Sequence, residues 1–424
     1  MNKLYIAALA LTGFATTFSA QAQEGRASLA NPASAVLGRN CATMEVYEAQ
    51  IAADPARAQR LEAIEAQTKQ YLAQPAVMQR LTAGTIVTIP VVVHVVYNTA
   101  SQNVPQSQID AQIRVLNEDF AKTNPDAGLV PSAFAGSAAA TNVRFVLAKR
   151  DPNGNATTGV VRRSTKTRSF SSNDFVKYTS KGGSDAWPAG QYMNLWLCNL
   201  GQGLLGYAQF PGGNPATDGI VCLFSSVPGG TASNYNGGRT ATHEVGHWLN
   251  LRHIWGDATC GNDFVSDTPT QQTSNGGCPA FPHVTCSNGP SGDQWMNYMD
   301  YTYDRCMYMF TYGQSDRMDA LFATGGARAS LLTSLGGTAP RFSVTTTPVA
   351  MYPNPATEVL HLSLPADADA AATSVRVYDL RGHEMTQARY DGHGDVQVSA
   401  LPKGLYYLTI ANGTQVSHQR FEKE

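Results

Sequence analysis

Three histidines and one glutamate in a short stretch have the types and spacing of a metal-dependent hydrolytic site. The segment Thr242–Asp257 reads THEVGHWLNLRHIWGD, and His243 and His247, four residues apart, would share one face of a helix. Glu244 follows the first histidine, so its carboxylate can reach a metal-bound water without being a ligand. Three neutral imidazoles with one open position are typical of a catalytic zinc site rather than a closed structural one.

A third imidazole, His253, joins the set only if the chain leaves the helix. It follows His247 by six residues, where a straight helix would carry it away from the metal. Asn250 tolerates the left-handed backbone of a reversal, so we expect the helix to end near it. A downstream Glu is the alternative ligand, but none occurs between Glu244 and Glu358. A helix with core histidines is the other alternative.

The elements that must position this stretch form an α/β pattern. The β-branched run Thr88–Tyr97 predicts a buried strand, and Ser107–Phe120 has apolar residues at helical spacing. Further helices are predicted around His243 and over about Gly313–Phe322, whereas the Gly-, Pro- and Cys-rich chain after Trp255 predicts an irregular half. The other predicted strands are Val143–Leu147, Met193–Cys198 and Gly219–Leu223.

Composition excludes several classes of protein. The 424 residues are 43% hydrophobic and 15% charged, which is globular rather than disordered, collagenous or coiled-coil. A net charge of −2 provides no basic field, so we expect no nucleic-acid partner. No phosphate-binding glycine motif is present, which disfavours a nucleotide enzyme.

The first 22 residues have the pattern of a secretory signal peptide. Lys3 precedes an apolar run, and Ala20 and Ala22 are the small residues of a cleavage site. A membrane anchor is the alternative, but the run is short and interrupted by Thr and Gly. We expect an exported monomer with no transmembrane segment in the mature chain, and therefore oxidised cysteines.

Composition divides the remaining chain into four parts. We assign 23–86 to a pro-segment with exposed helices over Glu45–Ala73, 87–334 to a catalytic domain and 335–348 to a linker. Residues 349–424 alternate in short strands without a helix signal, which predicts a small β-sandwich. Its predicted strands are Val359–Leu364, Ser374–Leu380, Asp395–Val398 and Leu405–Ile410.

The histidine stretch resembles the metzincin signature HExxHxxGxxH, with Asn250 in place of Gly. It is most similar to the pappalysin branch, the cytophagalysin or ulilysin-like peptidases, and the match extends over about Thr88–Leu332. Asn297–Tyr301 resembles the Met-turn of that family. The resemblance implies that Met299 underlies the zinc site, where an ordinary core Met is the alternative, and that Tyr301 contacts the metal or the transition state.

The family's fold is a twisted mixed sheet and an active-site helix above an irregular, disulfide-bridged lower half. The resemblance also implies the activity of the family, that of a zinc endopeptidase acting on proteins and peptides. In this chain Glu244 would be the general base and acid, and Tyr301 would stabilise the oxyanion. A zinc-stabilised surface binding protein or adhesin is the alternative, but a structural site has no use for Glu244. A hydrolase of non-peptide substrates is a third interpretation.

The resemblance also suggests where substrate binds. Leu204, Gly206 and Tyr207 match the upper rim, where an edge strand pairs with an extended peptide; an ordinary loop strand is the alternative. Some relatives prefer Arg after the scissile bond through an acidic residue near the Met-turn. Asp304 is the candidate here, although the adjacent Arg305 could neutralise it.

Seven cysteines are present, and four of them fall in the irregular half. These four should pair in an exported protein, although sequence alone allows three connectivities and a second zinc site is an alternative. The resemblance implies the bridges Cys260–Cys286 and Cys278–Cys306. Cys198 and Cys222 lie in predicted strands and could pair or remain buried thiols.

Cys41 stands apart in the pro-segment. A thiolate is a good zinc ligand, and this cysteine resembles the cysteine switch of latent metzincins, which makes the pro-segment an intramolecular inhibitor. A disulfide to Cys198 or Cys222, or an incidental thiol, are the alternatives. We expect activation by cleavage between Gln74 and Val87, where Arg80 is a candidate.

The loop after the histidines is rich in oxygen ligands. Asn262, Asp263, Ser266 and Thr268 place carboxylates, hydroxyls and carbonyls close together, as in sites for Ca²⁺. The family binds structural calcium near this position, and a solvated acidic turn is the alternative.

Three segments near the C-terminus form a set. Met351–Pro355, Val375–Gly382 and Leu401–Tyr406 together resemble the C-terminal sorting domain of type IX secretion cargo. This implies the outer-membrane secretion machinery as a partner and a route through the periplasm to the medium or the cell surface. A generic carbohydrate-binding or spacer sandwich is the alternative.

Overall fold

The computed structural model describes residues 39–74, 86–340, 343–344, 349–364, 373–412 and 415–424. The signal peptide and residues 75–85 of the predicted cleavage segment lie outside this part. The helices are α1 (Thr43–Ala53), α2 (Ala56–Leu72), α3 (Gln106–Phe120), α4 (Ser132–Ala135), α5 (Arg239–Trp248) and α6 (Tyr312–Ala320). The strands are β1 (Val87–Tyr97), β2 (Ala138–Ala139), β3 (Val143–Leu147), β4 (Val160–Ser164), β5 (Met193–Cys198), β6 (Gly206–Ala208), β7 (Ile220–Leu223), β8 (Phe310–Thr311), β9 (Ser343–Val344), β10 (Ala350–Tyr352), β11 (Val359–Ser363), β12 (Thr373–Tyr378), β13 (Arg389–Tyr390), β14 (Asp395–Gln397), β15 (Gly404–Asn412) and β16 (Gln415–Lys423).

The helical stretch of the pro-segment is two helices that break at Asp54 and Pro55. The expectation that they would be exposed is wrong in part, because Val46 on α1 and Leu61 on α2 are buried. Their apolar residues are too few to give a helical stripe in the sequence. Contact with the rest of the chain, rather than periodicity, therefore decides which side of each helix is covered.

The central sheet is mixed and has the order β3-β1-β5-β7-β6. β1 pairs in parallel with β3 through its first half, with β4 through its second half and with β5 on its other side. It is buried on both faces, as its run of β-branched residues predicts. β6 is antiparallel to β7 and forms one edge of the sheet.

Helices α3 and α5 pack on this sheet. Ile109, Leu116 and Phe120 of α3 join its main core, as do Val245 and Trp248 of α5. α5 is buried along its whole length, so its polar residues must find partners inside the protein.

Two buried ion pairs hold the ends of α5. At its N-terminus, the Arg239 guanidinium lies 3.1 Å from Asp119 of α3. At its C-terminus, the Trp248 indole donates to Asp218, which also pairs with Arg328 at 2.5 Å. Charges so deeply buried are tolerated only with such partners, so these contacts fix where the helix lies.

The chain after Trp255 is irregular, as predicted, up to the short 3₁₀ helix Asp304–Cys306, β8 and α6. The bridges Cys260–Cys286 and Cys278–Cys306 are both present, which confirms the pairing that the family resemblance implied. Cys198 and Cys222 are buried free thiols, so the alternative of a bridge between them is not realised.

The described residues of the C-terminal region form two four-stranded sheets, β10-β11-β14-β13 and β12-β15-β16-β9. Leu360, Val396, Leu408 and Phe421 from both sheets lie in one apolar core, which agrees with the predicted small β-sandwich. Within the described residues, no helix is long and apolar enough to cross a membrane.

Candidate metal centre and cleft

The turn that returns His253 to the helix is formed as the sequence predicts. α5 ends at Trp248, and Asn250 has a left-handed φ of 67°. The Leu251 amide donates to the Gly246 carbonyl at 2.9 Å and closes the turn. A short-side-chain amide is one of the few non-glycine groups that adopts this conformation readily.

The outer nitrogen of each imidazole is committed to a hydrogen-bond acceptor. His243 Nδ1 donates to the Tyr298 carbonyl at 2.7 Å and His247 Nδ1 donates to the Leu251 carbonyl at 2.8 Å. His253 Nδ1 donates to the Asp257 carboxylate. Each proton is thus on Nδ1, and each Nε2 is left as a lone-pair acceptor.

The three acceptors point at one another. His247 Nε2 lies 3.2 Å from His243 Nε2 and 3.1 Å from His253 Nε2. Burial lowers the pKa of both His243 and His247 well below the ordinary value, so neither supplies a bridging proton. Lone pairs this close need a cation between them. A tetrahedral zinc ion with zinc–nitrogen distances of roughly 2.0–2.1 Å would set neighbouring nitrogens about 3.3–3.4 Å apart, so the set fits zinc.

A thiol completes the group. Cys41 Sγ and one nitrogen from each of the three imidazoles all lie within 4.8 Å of one another, and all four residues are buried. One sulfur and three nitrogens are a donor set that suits zinc and no hard cation.

Met299 lies directly under the helix that carries the ligands. Its Sδ lies so close to where a β-carbon on Gly246 would be that any larger residue at this position of α5 would displace the Met299 side chain. The neighbouring Tyr298 supplies the carbonyl that orients His243. The predicted Met-turn therefore supports the site both by packing and by a hydrogen bond.

Glu244 faces the fourth position of the group without belonging to it. Its Oε2 is 3.4 Å from Cys41 Sγ and accepts a hydrogen bond from Thr43 Oγ1 at 3.1 Å. Burial raises its pKa to about 8. Gly206 on β6 leaves space for it, because a β-carbon there would be 2.8 Å from Glu244 Oε1.

Tyr301 is the other polar group at this position. Its hydroxyl lies 3.1 Å from His253 Nε2 and 3.3 Å from the Cys41 carbonyl. Its ring packs edge-on against Trp255, which itself stacks on His253 at 4.3 Å. The hydroxyl is thus held beside the converging imidazole nitrogens.

The pro-segment occupies the rim. The Leu205 amide donates to the Asn40 carbonyl at 2.9 Å, and the Ala42 amide donates to the Gly206 carbonyl at 3.1 Å. Of the three rim residues proposed from sequence, Gly206 meets the cleft in this way. Leu204 and Tyr207 instead join a second buried cluster.

The Asp304 carboxylate is bound by Arg39 of the pro-segment at 2.5 Å, in a pair that is buried on both sides. Arg305 does not neutralise it; its guanidinium donates to Asn234 Oδ1 at 2.7 Å. The amide of Gly237 also donates to Asp304, at 2.8 Å. An acidic pocket therefore lies beside the metal centre and holds an arginine.

Comparisons with known proteins agree with this geometry. Residues 177–323 match the family described as pregnancy-associated plasma protein-A, and residues 350–424 match the secretion system C-terminal sorting domain. An extracellular metalloprotease of Trichophyton verrucosum is 36% identical over 248 residues, which are 56% of this chain and 78% of the relative. The chain belongs to the pappalysin family of metzincin metallopeptidases.

Solved structures of the family extend the likeness. Mature mirolysin of Tannerella forsythia with a cleaved peptide is 52% identical, with a TM-score of 0.58, and the match covers 58% of this chain and 96% of that one. A promirolysin variant of Tannerella forsythia is 48% identical, with a TM-score of 0.62, and the match covers 69% of this chain and 96% of that one.

The pappalysin assignment settles the class of protein. The chain is a zinc metalloendopeptidase. The alternative of a non-catalytic, zinc-stabilised binding protein or adhesin is therefore wrong. Together with the sorting domain, the extracellular relatives establish that this pappalysin is secreted or displayed at the cell surface.

The four proposed calcium residues are only partly brought together. Thr268 Oγ1 lies 3.0 and 2.8 Å from the two Asp263 oxygens and 2.9 Å from the Val265 carbonyl. Asn262 is turned to the Phe264 amide, and the Ser266 residue is exposed.

Sequence reasoning missed four residues of this pappalysin site. Arg39 and Thr43 flank Cys41, and their spacing in the chain gave no sign of their partners. Asp119 lies near the end of an amphipathic helix, where the sequence suggests a solvent-exposed acid. Its carboxylate instead accepts hydrogen bonds from Arg239, Thr242 and Tyr298 inside the protein. Asp257 follows His253 by four residues, and this histidine–carboxylate spacing was a signal in the sequence that could have identified it.

Asp257 is predicted to tune zinc binding through His253. Asp257→Asn keeps the shape and suits the left-handed φ of 57° at this position, but offers a neutral acceptor to His253 Nδ1. Because such outer partners raise ligand basicity, we expect the zinc affinity of the full chain to fall about 10–100-fold, measured against a chromophoric chelator.

Asp379→Asn is the matched control, since Asp379 pairs with His383 at the same four-residue spacing in the C-terminal region. It should leave zinc affinity unchanged. Equal affinities for wild type and Asp257→Asn would contradict a role for Asp257 at the metal.

Proposed function

We propose that this pappalysin is made as a latent precursor and hydrolyses peptide bonds with Glu244 as general base and then general acid. The observation that carries the proposal is the placement of the Glu244 carboxylate. It lies 3.4 Å from Cys41 Sγ, the atom that fills the fourth position of the donor group, while three imidazoles take the others. A group at that position that is not itself a ligand is available to move a proton.

The three imidazoles would hold zinc, which when bound supplies a Lewis acid that acidifies water and polarises a peptide carbonyl. Glu244 accepts a proton from the attacking water and returns it to the leaving amine. The Tyr301 hydroxyl donates to the carbonyl oxygen as negative charge develops there. The Leu205 amide and the Gly206 carbonyl, which pair with the pro-segment in the precursor, are the groups of the edge strand that a substrate backbone would use.

Glu244→Ala tests the general base. After processing in trans by an added protease, the variant should retain zinc but lose at least about 10³-fold in kcat/KM on a peptide substrate. Zinc content is measured by mass spectrometry, and kcat/KM is measured on a synthetic peptide substrate.

Glu118→Ala is the control, because Glu118 is a carboxylate on α3 that pairs only weakly with Arg114 at the surface. It should keep full activity. A Glu244→Ala enzyme that cleaves near the normal rate would refute the role of Glu244.

Latency is proposed to rest on two contacts of the pro-segment. Cys41 takes the open metal position, as the thiol of a cysteine switch does. Thr43 Oγ1 donates to Glu244 and accepts from the Ala208 amide at 2.8 Å, so it also occupies the proposed general base. The segment thus blocks the metal and the base together.

Cys41→Ala should make the uncleaved chain active, because the fourth position becomes open to water. Since Thr43 still engages Glu244, we expect only part of the mature activity, and a further increase in Cys41→Ala/Thr43→Val. Activity is measured on chains shown by mass spectrometry to be uncleaved.

Thr68→Val is the matched control for the threonine change. Thr68 is buried on α2 and its hydroxyl has no hydrogen-bond partner among the described residues, so the substitution should leave latency intact. Full latency in both Cys41→Ala variants would exclude the switch.

A preference for Arg after the scissile bond is supported by the contact of Arg39 with Asp304. The buried carboxylate is oriented by the Gly237 and Arg239 amides, and an arginine of the chain's own inhibitor fills the pocket. Guanidinium and carboxylate match in shape and charge, and the pair is protected from solvent.

Asp304→Asn should lower kcat/KM for peptides with Arg after the scissile bond by about 30–1000-fold, as expected when one partner of a buried charge pair is removed. The internal control is a peptide with Leu at that position, whose cleavage should change little. An equal loss on both peptides would show that Asp304 acts on the structure and not on selection.

A structural calcium ion is proposed at Asp263 and Thr268. The Thr268 hydroxyl has one proton but lies within 3.0 Å of three acceptor oxygens, two from Asp263 and one from Val265. Burial raises the pKa of Asp263 to about 6. Converging oxygens of this kind are the ligands that Ca²⁺ prefers.

The domain limits are proposed as a pro-segment at 23–86, a catalytic domain at 87–334, a linker at 335–348 and a sorting domain at 349–424. The main core draws its residues from Val87 through Leu331, and a separate core begins at Ala356. Cleavage between Gln74 and Val87 would remove the pro-segment between two regular elements. The sorting domain would engage the type IX machinery.

A further inference from the structure

Phe210 follows the rim strand and is covered by the pro-segment. Its ring meets the edge of the Tyr47 ring, with centroids 5.7 Å apart and planes at 80°. Its carbonyl accepts a hydrogen bond from Arg57 at 2.9 Å. Phe210 is 2% exposed with these groups in place, so loss of the pro-segment uncovers a large apolar ring.

This ring borders the metal centre. Its centroid is 5.5 Å from that of His247, in an edge-on contact. The Arg252 guanidinium lies 6.0 Å from the ring centroid, at the outer limit of a cation–π contact. The uncovered surface would thus be an aromatic face continuous with the cleft, with a cation at its border.

Contacts of the pro-segment give the order of positions along the rim. Asn40 pairs with Leu205, Thr43 with Ala208, and Tyr47 with Phe210, so the segment follows β6 from its start to beyond its end. Arg39, which precedes these contacts, is the residue in the Asp304 pocket. Phe210 and Asp304 therefore lie at opposite ends of the rim.

We propose that Phe210, bordered by Arg252, forms a substrate subsite for an aromatic side chain on the N-terminal side of the scissile bond. The inference depends on the proposed function, since the Asp304 pocket defines the side that follows the bond. The pro-segment fills both pockets with side chains of the types that the substrate would supply, Arg39 in one and Tyr47 on the other.

The occupant is an aromatic residue because of how Tyr47 lies on Phe210. The edge-to-face arrangement is the one that aromatic pairs prefer, and it adds to the gain from burying the two rings. A peptide in the same cleft that presents an aromatic side chain restores this contact after Tyr47 has left.

The test is the pattern of cut sites made in a denatured protein mixture by the full chain processed in trans. In the wild-type pattern, one position before the cut should be enriched in Tyr, Phe or Trp. For a matched pair of synthetic peptides that differ only there, Tyr should exceed Ala by about tenfold or more in kcat/KM, the usual worth of a filled apolar pocket. Phe210→Ala should reduce this ratio toward one and leave the selection after the bond unchanged.

Phe264→Ala is the matched control. Phe264 also lies beside Arg252, at 5.2 Å, but it is 47% exposed with the pro-segment in place. This variant should keep the wild-type ratio. If Phe210→Ala does not fold, Phe210→Leu retains apolar volume without a ring, and an intermediate ratio is expected.

The outcomes separate this inference from the proposed function. Absence of cuts from folded, zinc-loaded wild type would defeat the proposed function itself. Cuts without aromatic enrichment, or a Tyr-to-Ala ratio that survives in both Phe210 variants, would overturn the subsite alone.

Discussion

Three buried nitrogen lone pairs that face one another are the constraint on which this site depends. Each imidazole has already given its proton to an acceptor on the outer side, so the imidazoles cannot hydrogen-bond to one another on the inner side. Such an arrangement is unfavourable in a protein interior unless a cation lies between the acceptors. The left-handed turn at Asn250 and the packing of Met299 on Gly246 are best understood as the means of holding these acceptors together.

The edge strand β6 provides the cleft with backbone groups that can pair with another chain. An edge presents unpaired amides and carbonyls, which proteins usually protect from other chains. Here the precursor protects the edge with its own pro-segment, and the residues of that segment also reach Glu244 and Asp304. One short stretch from Arg39 to Thr43 therefore covers the backbone of the edge strand, the fourth position of the donor group, the Glu244 carboxylate and the Asp304 carboxylate.

The sequence predicts those parts of the molecule that local rules govern. The spacing of His243, His247 and His253, together with Asn250, was sufficient to predict that the three imidazoles converge, because helix geometry and the conformational range of Asn are local properties. The strands of the central sheet followed from β-branched runs for the same reason. Resemblance to the family supplied the disulfide pairing, which spacing alone leaves open.

Long-range partners were not predictable in this way. Asp119 and Arg239 are far apart in the chain, and only the packing of α3 on α5 brings their charges together. The buried sides of α1 and α2 were missed because their few apolar residues make no stripe. Asp304 was a pocket candidate from the sequence, but its partner Arg39 lies more than two hundred residues away in the chain and is apparent only in the folded protein.

The positions of α2 and β1 in the chain have a consequence for activation. α2 ends at Leu72 and β1 begins at Val87, so a cut at residues 75–85 leaves both elements whole. Such a cut removes none of the contacts with the cleft that the described residues 39–74 make. It changes the inhibitor from a tethered group, held at an effective concentration on the order of millimolar, to a separate peptide that dilution can carry away. Release would then depend on the volume into which the protein is secreted, and crowded and dilute surroundings would yield different fractions of working enzyme from the same cleaved precursor.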